Sequence, residues 1–229
     1  SSDVCSSDLQ QKMELENNLN KSVLTSIKSQ MNPHFFYNAL NTIQAYIFTN
    51  DKTKANNYLA KFSKLTRVIL EQSEKETISL SDEIESLTLY LELEKMRFNS
   101  DFEYTIELKT VTHKDGIEFP PMLIQPYVEN AIKHGLLHKD GQKTLTIVFE
   151  EKHKLLFVTI NDNGIGRKRS EELNKIKNEK YQSFSTHANE KRLEILNKQN
   201  DKIAVTITDK TDETNKAIGT KVILTIPII

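Results

Sequence analysis

One imidazole stands beside a proline in an otherwise helix-forming run: Lys28-Ser29-Gln30-Met31-Asn32-Pro33-His34-Phe35-Phe36-Tyr37-Asn38-Ala39-Leu40-Asn41-Thr42-Ile43. Neutral imidazole exists near pH 7 and can attack phosphorus directly, so a histidine displayed on a helix is a candidate nucleophile. A lone helical histidine is more often structural, and the neighbours of His34 decide its interest. Pro33 removes one backbone donor and perturbs the helix just before the ring. Asn38, one turn on, can hydrogen-bond the ring and fix its tautomer, leaving the other nitrogen free to attack. Helix capping or packing accounts equally well for Asn38 and Asn41. Two later strings also crowd polar groups together: Glu129-Asn130-Ala131-Ile132-Lys133-His134-Gly135 and Asp162-Asn163-Gly164-Ile165-Gly166. Alone, the second is weak, because Asp-x-Gly-x-Gly also makes a good turn.

The elements that must position these groups are legible from periodicity. Residues 9–48 read as helix, with Leu9, Met13, Val23, Ile27 and His34 on one four-three spacing and polar Glu16, Asn20 and Gln30 in the remaining slots, an imperfect coiled-coil seam. Pro33 is expected to kink this helix rather than end it. A second helix is predicted over 52–73, with the stripe Ala55, Leu59, Phe62, Leu65 and Ile69. Two such helices form an antiparallel hairpin, and pairing two hairpins into a four-helix dimer would cover both stripes. Ser81 reads as the N-cap of a third helix, with Asp82 and Glu83 in its first turn, apolar Ile84, Leu87 and Leu91, and an end near Arg97. Strict alternation follows, with Phe102, Tyr104, Ile106 and Leu108 on one face of a strand. Pro120-Pro121 is expected to start a helix reaching His138. Strands are predicted over 143–150, 154–161, 203–208 and 220–226, and helices over 167–180 and 188–199. Helices covering one face of antiparallel strands make the chain α+β.

Bulk properties narrow the class. The chain has 229 residues, 37% hydrophobic and 28% charged, with a net charge of −1. Such a balance offers no argument for binding nucleic acid or an anionic membrane. Cys5 is the only cysteine, so no internal disulfide can form and a reducing cytoplasm is the simplest setting. No apolar run approaches the roughly 20 residues of a membrane span, and the first residues lack the basic end and apolar centre of a signal peptide. Residues 1–9 repeat a Ser-Ser-Asp unit unlike the rest and read as a non-native remnant. The native protein is therefore expected to continue upstream, where membrane spans could lie.

The string from Gln30 to Ile43 resembles the phosphoacceptor motif of the LytS-type sensor histidine kinases, which implies that His34 receives phosphate. Residues 120–135, Pro120-Pro121-Met122-Leu123-Ile124-Gln125-Pro126-Tyr127-Val128-Glu129-Asn130-Ala131-Ile132-Lys133-His134-Gly135, resemble the N box of the ATPase superfamily uniting histidine kinases, gyrase, heat-shock chaperones and MutL. That resemblance implies Asn130 as the Mg²⁺ ligand, a task that suits a neutral amide oxygen. Lys133, three residues on and on the same face, would neutralise phosphate oxygens, and His134 would hydrogen-bond phosphate. The second string resembles the G1 box, which implies that Asp162 accepts a hydrogen bond from the adenine amino group. Gly164 and Gly166 would let backbone approach the nucleotide. Many relatives carry Gly-x-Gly-Leu-x-Asn in the later lid region. This chain instead reads Ser183-Phe184-Ser185-Thr186-His187-Ala188-Asn189-Glu190-Lys191-Arg192-Leu193 and has no glycine there. Thr186, Asn189 and Arg192 are its candidate nucleotide contacts. Gly219-Thr220 resembles the closing Gly-Thr of the fold and reads as structural. Glu92-Leu93-Glu94-Lys95-Met96-Arg97-Phe98 resembles a LytS-type segment between domains, read first as a solvated charged face and second as a coupling contact through Arg97.

The resemblance implies a dimeric four-helix bundle formed by a helical hairpin over 10–78, followed by an α/β-sandwich (Bergerat-type) ATP-binding domain over 79–229 that includes its leading helix. It implies ATP-dependent autophosphorylation of His34 with Mg²⁺, then transfer to an aspartate on a response regulator, often of the LytTR type. Phe35 stands where other histidine kinase classes place a carboxylate, which leaves Glu129 as the nearest candidate base. A homodimer is expected, without direct nucleic-acid binding, cytoplasmic, and reaching the inner membrane only through a sensor region absent from this chain. Two rivals stand beside it. A clamp of the gyrase and chaperone branch would need a glutamate where Pro126 stands. A scaffold that has lost nucleotide binding is supported by the missing lid glycines.

Overall fold

The computed structural model describes residues 33–98, 101–176, 191, 193–197 and 202–228. Helix α1, Pro33–Phe48, and helix α2, Lys52–Ser73, form the hairpin. The turn between them uses Asn50 at φ 55°, a conformation that asparagine tolerates well among residues with a β-carbon. Asp51 then caps α2 by accepting from the Lys54 amide at 3.0 Å. Ala55, Tyr58, Leu65 and Ile69 are the buried apolar side chains of α2. Leu59, expected in the stripe, is 50% exposed. The unbroken three-four alternation runs 55, 58, 62, 65, 69, so Tyr58 takes the inward slot and Leu59 flanks it. The expected kink at Pro33 depends on residues before 33, which lie outside the described set.

Strand β1, Ile78–Ser79, leads into helix α3, Leu80–Phe98. The cap is Ser79 rather than Ser81: its Oγ accepts from the Asp82 amide at 3.1 Å, while Asp82 Oδ2 accepts from the Ser79 amide at 3.4 Å. This reciprocal arrangement is a capping box with aspartate at its third helical position. Helix α3 is enclosed by apolar residues on more than one face, since Leu87, Leu91 and Leu93 are all fully buried. Against the hairpin, the Phe35 ring lies 5.7 Å from Phe62 and 5.5 Å from Tyr90. Lys61 pairs with Glu92 and Lys64 with Glu85 across α2 and α3.

Strand β2, Phe102–Lys109, follows, then strand β3, Glu118–Phe119, and helix α4, Gln125–Asn130, which continues as π-helix over Ala131–Leu136. Strands β4, Lys143–Lys152, and β5, Leu155–Asp162, precede helix α5, Arg167–Ile176. Strands β6, Ala204–Thr211, and β7, Ala217–Pro227, complete the described chain, with residues 193–197 helical before them. One five-stranded sheet has the order β2-β4-β5-β7-β6, in which only the β2–β4 pair is parallel. A parallel neighbour requires a crossover, and this one carries β3 and α4 past the sheet. The short β1–β3 pair, Ile78 opposite Phe119, ties the start of α3 to the entry of α4.

Two expectations are corrected. Leu108 is exposed, because β2 is an edge strand. Helix α4 begins at Gln125, not at Pro120-Pro121, since Met122 takes φ 57° in the intervening turn. Pro126 then sits in the first helical turn, where its missing amide costs nothing. The predicted helix over 167–180 is described as far as Ile176. The core lies between the sheet and the helices, built from Leu145, Ile147 and Phe149 of β4, Leu156, Val158 and Ile160 of β5, Leu224 of β7, and Ile132 and Leu136 of the π segment. Among the described residues no helix is long and apolar enough to cross a membrane. Replacing Ser79 with Ala removes one half of the capping box and is expected to lower unfolding free energy by about 1 kcal/mol, read by urea denaturation; no change would place the helix start elsewhere.

Candidate functional site

Asp162 ends β5 and is 3% exposed. Its Oδ1 accepts from the Gly164 amide at 2.7 Å and from the Thr220 amide at 3.2 Å. Among the described residues no donor reaches Oδ2. Burial raises the carboxyl above the usual carboxylate range, the two amides and Lys210 pull it back, and Asp209 adds to the rise. Lys210 Nζ donates to the Asp162 backbone carbonyl at 3.0 Å. Asn163 braces the same turn against β4, accepting from the Thr144 amide at 2.8 Å and donating to the Gln142 carbonyl at 3.1 Å.

The end of α4 meets this turn main chain to main chain. A β-carbon on Gly164 would stand 2.4 Å from the Gly135 carbonyl carbon, and one on Gly135 would stand 3.0 Å from Asp162 Oδ1. The Ile165 amide donates to the Gly135 carbonyl at 3.2 Å. Gly166 takes φ 77°, the left-handed region that glycine enters without strain. The result is a cradle around a buried carboxylate with one oxygen open to a donor from outside the protein. That arrangement fits an adenine amino group.

Asn130 is half-buried at the point where α4 changes from α to π geometry. The π turn is visible in the Leu137 amide donating to the Ile132 carbonyl, five residues back, at 2.8 Å. A π turn holds more residues than an α turn. The three-residue spacing expected to align Lys133 with Asn130 therefore no longer does so, and His134 comes closer to the register of Asn130. No group of acidic or histidine ligands among the described residues could hold a metal by itself. A lone amide oxygen fits Mg²⁺ that keeps several waters and bridges to substrate phosphates.

Glu129 precedes Asn130, and its Oε1 accepts from the buried Gln125 amide group at 2.9 Å. On α3, the segment expected to be a solvated charged face is not one: Leu93 is fully buried and Glu94 is 4% exposed. Glu94 pairs with Arg97, and burial pushes its carboxyl up to about 7, with Arg97 lowering it and Glu129 raising it further. Of that segment only Lys95 is exposed, while Leu91, Leu93 and Glu94 face the buried side of α3.

His34 lies in the first turn of α1, but its side chain falls outside the described residues. Asn38 is half-buried one turn on, and its carbonyl accepts from Thr42 Oγ1 at 2.8 Å. Thr186, Asn189 and Arg192 also lie outside the described residues. The structure thus brings Asp162, Gly164 and Gly166 together with the end of α4. Sequence reasoning missed Gly135 and Lys210 as parts of this turn, and assigned Thr220 to structure alone. Position before the last strand was the only signal for Thr220.

Residues 22–102 match the family model described as histidine kinase. The chain is 35% identical over 148 residues to the sensor protein LytS of Enterococcus faecalis, covering 65% of this chain and 25% of that protein. It is 35% identical over 166 residues to LytS of Staphylococcus haemolyticus, covering 72% of this chain and 28% of that protein. The chain therefore spans about a quarter of the length of the curated relatives it matches. The histidine kinase domain of a blue-light-activated kinase from Erythrobacter litoralis aligns with 93% of this chain and 96% of its own at 13% identity and a TM-score of 0.47. At that score the likeness adds nothing to the strand order described above. Gly164→Ala is expected to force the turn off the end of α4 and cost about 1–3 kcal/mol in thermal unfolding; a fully tolerated alanine would deny the close approach.

Proposed function

We propose, for a chain whose residues 22–102 belong to the histidine kinase family and which is a relative of the LytS sensor proteins, that it is the kinase core of a two-component sensor. The reaction is ATP-dependent phosphorylation of its own His34. The unprotonated ring nitrogen attacks the γ-phosphorus, the bond to the bridging oxygen breaks, and ADP leaves. The other ring nitrogen then gives up its proton, for which Glu129 is the candidate acceptor. The observation that carries this reading is Asp162: a buried carboxylate with one oxygen satisfied by backbone and the other without a donor among the described residues, at a cradle of glycines. Asn130 would hold Mg²⁺, which offsets charge on the triphosphate. Rate enhancement would come from positioning and electrostatics, as in other phosphoryl transfers. Thr186, Asn189 and Arg192 remain the proposed lid contacts.

The hairpin supports a homodimer through its uncovered apolar side chains: Leu40 is 58% and Phe48 80% exposed, and Ile47, Leu59 and Leu70 are exposed with them. A second hairpin would cover them in a four-helix bundle. The division into a hairpin over 10–78 and an ATP-binding unit over 79–229 belongs to the same reading. The phosphoryl group would pass to an aspartate on a response regulator of the LytTR type, and the full-length protein would sit on the cytoplasmic face of the inner membrane. Pro126, where the gyrase and chaperone branch needs a water-activating glutamate, argues against an ATPase clamp.

Incubation with γ-labelled ATP is expected to give acid-labile, base-stable label that disappears in His34→Gln; acid-stable label would overturn the reading. Asp162→Asn keeps an oxygen for the two backbone amides but turns an NH₂ towards the adenine amino group. Its affinity for Mg-ATP is expected to fall about tenfold or more with the circular dichroism spectrum unchanged. Unaltered affinity would favour the scaffold that binds no nucleotide at this site.

A further inference from the structure

Strands β6 and β7 close together on the turn that carries Asp162. The β5–β7 ladder ends at Asn161 opposite Lys221, so the Asp162 carbonyl lies beyond it. The carbonyl of a buried residue needs a donor, and Lys210 Nζ supplies one at 3.0 Å from β6, two strands away in the sheet. Lys210 stands opposite Gly219 in the β6–β7 pairing, where no side chain blocks the path to β5. A β-carbon on Gly219 would stand 2.1 Å from that same carbonyl oxygen. Directly after Lys210 the register shifts: Thr211 pairs with Ala217, and Ile218 is passed over. A bulge bends its strand and re-aims side chains, and bulges are frequent beside functional sites. Next to it, Asp209 accepts from Arg167 Nε at 3.0 Å and Nη2 at 2.9 Å, which fastens β6 to the first residue of α5. A β-carbon on Gly166 would stand 2.6 Å from the Ala217 β-carbon. The turn from Asp162 to Arg167 is thus gripped by β6 and β7 through Asp209, Lys210, Ala217, Gly219 and Thr220.

Holding a main-chain carbonyl fixes the direction in which that residue's side chain leaves the strand. The Asp162 carboxylate is held at Oδ1 by the Gly164 and Thr220 amides, and its Oδ2 has no donor among the described residues. Lys210 holds the main chain of the same residue. Its ammonium also favours the ionised carboxyl, while the Asp209 charge that opposes this is paired with Arg167. An ionised carboxylate only accepts hydrogen bonds. It suits adenine, which presents an amino group, and opposes guanine, which presents a carbonyl oxygen at the same ring position. We propose that Lys210 is a positioning residue for this carboxylate, gripping the end of β5 so that the site takes adenine and rejects guanine. This rests on the reading of Asp162 as the contact to adenine. The exposed Arg167–Asp209 pair adds little stability as a surface ion pair. Its two parallel bonds set the geometry of β6 against α5 instead.

Calorimetric titration of the whole chain with adenosine, Mg-ATP and Mg-GTP tests this, with Lys210→Met and Lys210→Arg beside the unsubstituted protein. Methionine keeps an unbranched stem and removes both the donor and the charge. Lys210→Met is expected to weaken adenosine and Mg-ATP by the same factor, about five- to tenfold, because the effect is at the base. Mg-GTP should not weaken with them, so the ratio of the Mg-ATP and Mg-GTP affinities narrows by that factor. Lys210→Arg, which keeps a cation and donors, should restore most of the loss. Equal weakening of Mg-GTP would mean a general loosening of the domain and would overturn the proposal. Loss for Mg-ATP alone would make Lys210 a phosphate contact and overturn it too, as would unchanged affinities in Lys210→Met. Thermal unfolding of each variant reports whether the fold is kept; where methionine unfolds the domain, Lys210→Gln carries the same expectation. Failure of the nucleotide site itself is distinguishable. If the unsubstituted chain binds neither adenosine nor Mg-ATP, Asp162 is no adenine contact and both readings fall, whereas binding that Lys210→Met leaves untouched sinks the role of Lys210 alone.

Discussion

Where α4 ends against the turn after β5, two glycines set main chain against main chain. A β-carbon on Gly164 would intrude to 2.4 Å from the Gly135 carbonyl carbon, so the contact exists only because neither position carries a side chain. Everything around the cradle inherits its placement from this approach. The Ile165 amide reaches Gly135, Asp162 is buried beside both, and the Thr220 amide of β7 reaches the same carboxylate. Asp162 can then remain buried because its oxygen is held by two amides, and hydrogen bonding to the charged form offsets part of the desolvation that raises its pKa. The proposed nucleotide site is thus a junction of three elements rather than a property of any one.

Helix α3 plays the corresponding part between the hairpin and the sheet. Its hairpin side meets Phe35 through Tyr90, and Phe35 in turn packs on Phe62. At its start, Glu83 Oε1 accepts from the Ile124 amide at 3.3 Å at the entry to α4. Glu85 and Lys95 of this helix are exposed, but Glu94 lies on its buried flank, where a charge must be paired. That is why Glu94 and Arg97 stand together. The surface pairs Lys61–Glu92 and Lys64–Glu85 add little energy of their own.

The hairpin helix α2 was readable end to end, because Asp51 caps it and its apolar spacing is regular. Leu59 was assigned inward because leucine is apolar; the geometry of the stripe instead put Tyr58 there, an aromatic whose polar tip obscured the signal. Ser81 and Ser79 are equally good caps as residue types, and only the Asp82 side chain, bonding back to the Ser79 amide, separates them. The start of α4 was misplaced for a similar reason. Pro120-Pro121 suits a first helical turn, but the chain needs Met122 at positive φ before Pro126 can take that role. The π segment left no mark in composition, and it changes which of Lys133 and His134 lies nearer to the face of Asn130.

The order of residues alone determined the α+β class, the strand alternation, the two helices of the hairpin, and the strings around His34, Asn130 and Asp162. Those are local facts: periodicity, capping chemistry, and side-chain types at fixed spacing. Tertiary structure alone decided that Gly135 touches Gly164, that Thr220 bonds to Asp162 across 58 positions, and that Glu94 is buried beside a single guanidinium. Each depends on the crossover that brings α4 over the sheet and on the cover that the hairpin places over α3. Burial and charge pairing are set by neighbours distant in the chain, and no local pattern of residues carries them.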